Sequence, residues 1–226
     1  MRVDRTALLA LATLTCAALA IAAAPWALDR PWLNFTFKPL ATILIIAFAA
    51  GRGHDAPVVR RWVLAGLVLS LAGDVALLWA QQGFLPGLVS FLLAHLAYLL
   101  AFTRGVRLAA RPAAFVGYAV VAGAILWQLW PGVPGALRAP VVAYVACLAA
   151  MAAQAAVLWR AGVPRGAVLA AGGALFVASD ALLATNRFAQ PLPLASLWIL
   201  ATYWAAQWCI AAWLAPRAQE TGAAGR

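Results

Sequence analysis

Eight uninterrupted apolar runs, each close to the length that crosses a bilayer, leave this chain few ways to fold. They lie at roughly 6–24, 32–50, 62–80, 87–103, 113–130, 139–159, 167–185 and 192–215. About 20 apolar residues span the hydrocarbon as an α-helix, and only helices and closed barrels satisfy their backbones there. None of the runs alternates as a barrel strand does. With 66% hydrophobic and 10% charged residues, the chain has more apolar surface than one soluble core can hide. The expected class is all-α: a polytopic membrane helix bundle of about eight transmembrane helices. It forms a single domain over residues 1–226, with residues 216–226 as a cytoplasmic tail.

The runs are separated by short Gly, Pro and Arg clusters such as "GRGHDAPVVRR", "QQGFLPG" and "PGVPGALRAP", which read as loops. No loop is long enough for a soluble domain, so any chemistry sits in the bundle or at its rim. The formal charge of +10 does not form a nucleic-acid patch, because the arginines punctuate the apolar runs. They read as topology signals and lipid-phosphate contacts. With the N-terminus cytoplasmic, Arg2, Arg5, Arg52, Arg60, Arg61, Arg104, Arg107, Arg111, Arg160, Arg165, Arg217 and Arg226 fall inside. Arg30, Lys38, Arg138 and Arg187 fall outside, so the positive-inside rule puts both termini in the cytoplasm. The first run resembles a secretory signal in its basic start and Ala-x-Ala end, but its apolar stretch is longer than a signal core, and it is expected to stay as a helix. Cys16, Cys147 and Cys209 lie in apolar runs without ligand spacing and read as core residues. Trp26, Trp32, Trp79, Trp130 and Trp198 read as an interfacial belt.

Two carboxylic acids interrupt the hydrocarbon: Asp74 in "AGDVALL" and Asp180 in "ASDALLA". An acid inside the membrane costs a few kcal/mol or more and marks function by default. Counted from the expected helix ends, both lie about 8 Å below the outer rim, level with each other. They occupy the third and seventh helices, equivalent places in two four-helix halves, as in a parallel internal repeat. Other polar residues reach the same zone. Lys38 opens the second helix, His95 and Tyr98 share a face of the fourth, and Asn186 and Arg187 follow the seventh. Ser196, Tyr203 and Gln207 share a face of the eighth. Gly66, Ser70 and Gly73 beside Asp74 let another helix come close. Structural alternatives stand beside each: the acids as interhelical ties, Lys38 as a snorkelling rim residue, His95 and Tyr98 as glue.

Two histidines, with His54 in a loop, are too few for a zinc hydrolase, so neither a metal nor another cofactor is expected. There is no G-x-S-x-G elbow for a serine nucleophile. What remains is a pair of carboxylates, a cation, a phenol and an imidazole near headgroup level. Two acids close together in low dielectric do not both ionise readily, which makes an acid–base pair.

"FKPL", "AGDVALL", "HLAYL" and "ASDALLATNRF", in this order along an eight-helix chain, resemble the YhhN or lysoplasmalogenase family over nearly the whole length. The resemblance implies hydrolysis of the vinyl ether bond of a lysoplasmalogen or related lysophospholipid, releasing a fatty aldehyde and a glycerophospho-headgroup. The matching positions are Lys38, Asp74, His95, Tyr98, Asp180 and Asn186. Asp74 and Asp180 are the expected catalytic residues, one donating a proton and the other steadying the cation, with the order open. Lys38, His95, Tyr98, Asn186, Arg187 and Tyr203 are the expected substrate-binding set. Membrane lipids and the lysophospholipid are the expected partners, in a bacterial-type inner membrane. The competing classes are a proton- or cation-coupled transporter and a non-catalytic lipid-binding protein.

Overall fold

The computed structural model describes residues 5–79 and 81–216. Arg2, Arg217, Arg226, Ala80 at the end of the third expected span, and the tail after Pro216 lie outside the described residues. Among the described residues the chain forms eight α-helices: α1 Arg5–Ala22, α2 Pro31–Ala50, α3 Pro57–Ala76, α4 Phe84–Phe102, α5 Pro112–Leu129, α6 Gly135–Arg160, α7 Gly166–Phe188 and α8 Ala195–Trp213. A short 3-10 turn, Trp130–Gly132, follows α5. α2, α3 and α5 each start with proline within their first two positions, where the missing N–H is an orphan anyway.

Among the described residues, six helices are long and apolar enough to cross a bilayer: α1, α2, α4, α5 with its trailing turn, α6 and α7. α3 is the same length but carries Arg60, Arg61 and Asp74, and α8 is diluted with Ser, Tyr, Trp and Gln. The chain is an integral membrane protein.

Helix neighbours form a closed ring in the order α2, α3, α4, α6, α7, α8 and back to α2. α1 packs outside on α2 and α8, and α5 packs outside on α6 and, less extensively, α7. Ring order alone is what two four-helix halves rotated about a common axis produce. Small residues set the closest approaches. A Cβ on Gly73 would stand 2.6 Å from the Phe91 ring, so α4 seats against α3 only because that position is glycine. Ser90 adds a hydrogen bond of 2.7 Å to the Leu69 carbonyl across the same interface. The opposite end is tied by Arg52, which donates to the Leu214 carbonyl at 3.0 Å, and by Gln154, whose amide nitrogen reaches carbonyls of Phe102 and Val106.

Several helix ends differ from expectation: α2 starts at Pro31, so Lys38 lies within the helix, with Pro39 also inside it, and does not open it. Two further differences concern the acids. α3 stops at Ala76, so Asp74 lies in its last turn instead of five or six residues from its end. α7 continues to Phe188, so Asn186 and Arg187 belong to its last turn instead of a following loop. The two acids are therefore not equidistant from their helix ends. Gly83 and Gly87 explain the early stop of α3: the chain turns back tightly, with Gly83 N–H on the Trp79 carbonyl at 2.7 Å.

Candidate active site

At one end of the ring, the starts of α2, α4 and α8 and the final turns of α3 and α7 surround a cavity of about 680 Å³. Its lining includes Asn34, Lys38, Asp74, Asp180, Asn186, Arg187 and Tyr203. Trp26, Trp32, Trp79, Trp130 and Trp198 all lie at this end of their elements, the position of an interfacial tryptophan girdle. The Trp26 indole N–H donates to the Ser196 hydroxyl at 3.0 Å, joining the α1–α2 loop to α8 beside the cavity.

Asp74 is the end point of a connected set of donors. Its Oδ2 accepts from the Thr42 hydroxyl at 2.6 Å and from the Tyr203 phenol at 2.8 Å. Its Oδ1 stands 3.7 Å from the Lys38 ammonium. Each donor is itself oriented. The Trp204 indole N–H donates to the Thr42 hydroxyl at 3.2 Å, and the Gln207 amide nitrogen donates to the Tyr203 oxygen at 3.3 Å. The Tyr98 phenol in turn donates to the Gln207 carbonyl oxygen at 2.6 Å. Each hydroxyl of this network has one proton to give: those of Thr42 and Tyr203 go to Asp74 itself, and that of Tyr98 goes to Gln207, which in turn donates to Tyr203. A carboxylate that accepts two such bonds and faces an ammonium has the environment of a fixed anion. Asp74 is only 1% exposed and Lys38 7%, so the pair sits away from solvent and compensates itself.

Asp180 is placed otherwise. Among the described residues one side chain bonds it, the Tyr144 phenol at 2.5 Å to Oδ2. It is half-buried, open to the cavity, and it also lines a second, apolar cleft. The two acids thus share a cavity but not a role in its wiring.

The expected binding set divides. Lys38, Asn186, Arg187 and Tyr203 line the cavity. Lys38 is committed to Asp74, Asn186 accepts from the Leu192 backbone N–H at 2.8 Å, and the Arg187 guanidinium lies 4.9 Å from the centre of the Phe84 ring. His95 and Tyr98 do not line it. Both are fully buried on α4, facing the packed interior. His95 stands edge-on to Tyr144 and Phe176, at 5.2 and 4.6 Å between ring centres, and neither ring nitrogen has a hydrogen-bond partner. Their shared face packs against the rings that hold the site, so they reach it at second hand. Of the other residues read on the α8 face, Ser196 lines the cavity and Gln207 joins the Asp74 network.

Sequence reasoning missed Asn34, Thr42, Tyr144 and Trp204. The first two were legible: Asn34, Lys38 and Thr42 recur every four residues and so share one face of α2. Asn34 Oδ1 is buried without a partner at the cavity wall. Tyr144 carries no such signal, being a lone phenol in an alanine-rich helix that only tertiary packing brings to Asp180.

The chain is similar to known proteins over most of its length. The family model described as "YhhN family" matches residues 33–214. Lysoplasmalogenase TMEM86B of Sus scrofa is 36% identical over 189 residues, 79% of this chain and 74% of that protein. Lysoplasmalogenase TMEM86A of Homo sapiens is 38% identical over 189 residues, 80% of this chain and 77% of that protein. A Lysoplasmalogenase of Mycobacterium tuberculosis is 32% identical over 160 residues, 66% of this chain and 58% of that protein. No solved structure matches the chain. The matched segment holds all eight residues expected at the site, from Lys38 to Tyr203, and the chain belongs to the YhhN family.

Proposed function

We propose that the protein is a lysoplasmalogenase: it hydrolyses the vinyl ether bond of a lysophospholipid to a fatty aldehyde and a glycerophospho-headgroup. The observation that carries the mechanism is the unequal setting of two acids around one cavity, Asp74 saturated by donors and Asp180 open. The curated relatives named lysoplasmalogenases support the activity.

Vinyl ether hydrolysis begins with proton transfer to the vinyl carbon remote from oxygen, leaving an oxocarbenium ion. Asp180 is the proton donor, because its second oxygen has no competing partner and faces the substrate space. Asp74 is the anion that steadies the cation, since its donors keep it in acceptor form. Water then adds to the cationic carbon and gives up a proton to the Asp180 carboxylate. The resulting hemiacetal collapses, its hydroxyl proton leaving as the headgroup oxygen takes one up. One water is consumed, the C–O bond on the vinyl side is broken, and Asp180 ends protonated. This division of two carboxylates parallels glycoside hydrolysis, which passes through the same kind of cation. Tyr144 and, behind it, His95 position Asp180. Arg187, Asn186 and Asn34 line the headgroup space, where Arg187 meets the phosphate.

The cavity end faces away from the cytoplasm. The opposite end carries Arg52, Arg60, Arg104, Arg107, Arg111, Arg160 and Arg165, and the even number of helices brings the start of α1 and the end of α8 to that side. The membrane is a bacterial-type inner membrane. Terminal reporter fusions that are active only in the periplasm would overturn this orientation.

The test of function is aldehyde release from a lysoplasmalogen by purified protein in detergent, beside Asp180→Asn. Release by the native protein, lost in a variant with unchanged melting, is expected. Undiminished release by Asp180→Asn would remove Asp180 as donor. No release by the native protein would remove the substrate.

A further inference from the structure

A second cleft meets the first at Asp180. It is walled by α4, α5, α6 and α7, and its lining is apolar apart from Asp180 and the phenols of Tyr118 and Tyr144. Leu77, Phe84, Phe91, Asp180 and Leu183 line both spaces, so the two adjoin along these side chains. Along α5 the lining runs from Tyr118 to Leu129, a rise of about 16 Å. At about 90 Å³ the cleft is tighter than the ~150 Å³ cavity that accepts benzene. A hydrocarbon chain is larger than benzene, so it fits only when a wall of the cleft gives.

The wall formed by α5 is the least anchored element of the bundle. Leu129 is its one buried residue, and Val116, Val120 and Trp127 are 62%, 66% and 84% exposed. α5 leans on α6 and α7, while α4 packs on α3 and α6, so the cleft is bounded by two helices that do not form a packed pair. Outward movement of α5 widens the cleft without breaking the ring that holds the aspartates.

Resting on the hydrolase reading for the headgroup, we propose that this cleft is the subsite for the hydrocarbon chain. A single lipid chain enters from the bilayer between α4 and α5. It lies along α5–α6 with its headgroup in the polar cavity, and the bond between them rests at Asp180.

The test uses a probe that the proposed reaction does not cleave: an ester-linked lysophosphatidylcholine with a diazirine near the end of its chain. It is photolysed with the full chain in detergent micelles, and the labelled peptides are mapped. Labels on Ile125, Leu126 and Leu148 are expected, displaced by excess unlabelled lysophospholipid. Ala149→Phe and, separately, Ala122→Trp should cut that labelling about tenfold. Labels confined to exposed faces such as Leu8, Leu11 and Leu14 of α1, or cleft labels that excess unlabelled lysophospholipid does not displace, would overturn the subsite. The displacement comparison uses only the native protein, so it decides even if a variant does not fold. Aldehyde release is scored in parallel. Cleft labelling without aldehyde removes the reaction and keeps the subsite; aldehyde without cleft labelling does the reverse.

Discussion

Replacing Asp74 tests whether its network is chemistry, scaffold or both, and the size of the effect can be worked from the geometry. Lys38 and Asp74 stand 3.7 Å apart, both almost fully buried. At an effective dielectric of about 20 that separation corresponds to about 4–5 kcal/mol of attraction. Removing one partner of a buried pair typically costs about 3–5 kcal/mol, because the survivor is stranded. The two single changes are not symmetric. Asp74→Asn strands an ammonium with no other partner among the described residues. Lys38→Met leaves a carboxyl that still accepts from Thr42 and Tyr203. Asp74→Asn should therefore lower the melting temperature more, by roughly 10 °C at 2–4 °C per kcal/mol for a chain of this size. In the Lys38→Met/Asp74→Asn double variant no charge is stranded, so most of that loss should be recovered. Tryptophan fluorescence in detergent reads all four proteins, with 11 tryptophans for signal. Aldehyde release is measured on the same samples, and the double variant should be folded but inactive. If the double variant falls by the sum of the singles, the pair is not coupled and the reading of Asp74 as a compensated buried anion is wrong.

Asp180→Asn should reduce aldehyde release by roughly 10²–10⁴-fold, the range for loss of a general acid, with little change in melting; a loss below tenfold would contradict the donor role. Tyr144→Phe removes the one hydrogen bond to Asp180, worth about 1.5–3 kcal/mol when a charged group is involved. It should lower kcat roughly 10–100-fold with KM nearly constant, and a change in KM alone would make Tyr144 a binding residue. Arg187→Ala should raise KM for the phosphate-bearing substrate, and the native KM should itself rise with salt, since an exposed cation is screened. His95→Phe keeps the edge-on packing against Tyr144 and Phe176 and removes two unpartnered buried nitrogens. It should leave melting unchanged or raise it and reduce kcat less than Tyr144→Phe does.

The bundle was legible because lipid imposes a simple rule: eight apolar runs of spanning length, with proline and glycine between them, became eight helices. The helix ends were less legible. The "DVALLWA" stretch is as apolar as the residues before it, and hydropathy gives no reason to stop at Ala76; the reason is the tight turn at Gly83. Asp74, Asp180, Lys38 and Tyr203 stood out as polar exceptions in apolar helices. His95 and Tyr98 stood out equally, yet they face the packed interior, because a shared helical face does not say which neighbour it meets. Tyr144 was hidden for the converse reason: its importance comes from the α6–α7 contact that brings it to Asp180.

The helices that depart most from lipid-like composition explain how the site is afforded. α3 and α8 are the two that fall short of the spanning criterion, and they supply Asp74, Tyr203 and Gln207. A polar side chain in hydrocarbon is tolerable only when its neighbours satisfy it. Concentrating such residues on two facing helices lets each satisfy the other, with α2 adding Lys38 and Thr42. The arrangement also locks Asp74: an anion with three donors cannot easily act as an acid. A working acid has to be carried elsewhere, and α7 carries it, next to the cleft where a chain can lie. The separation of the stabilised acid from the one open to the cavity is thus a consequence of building a polar site in a membrane. It also explains why the two aspartates, so similar in sequence, differ in every contact they make.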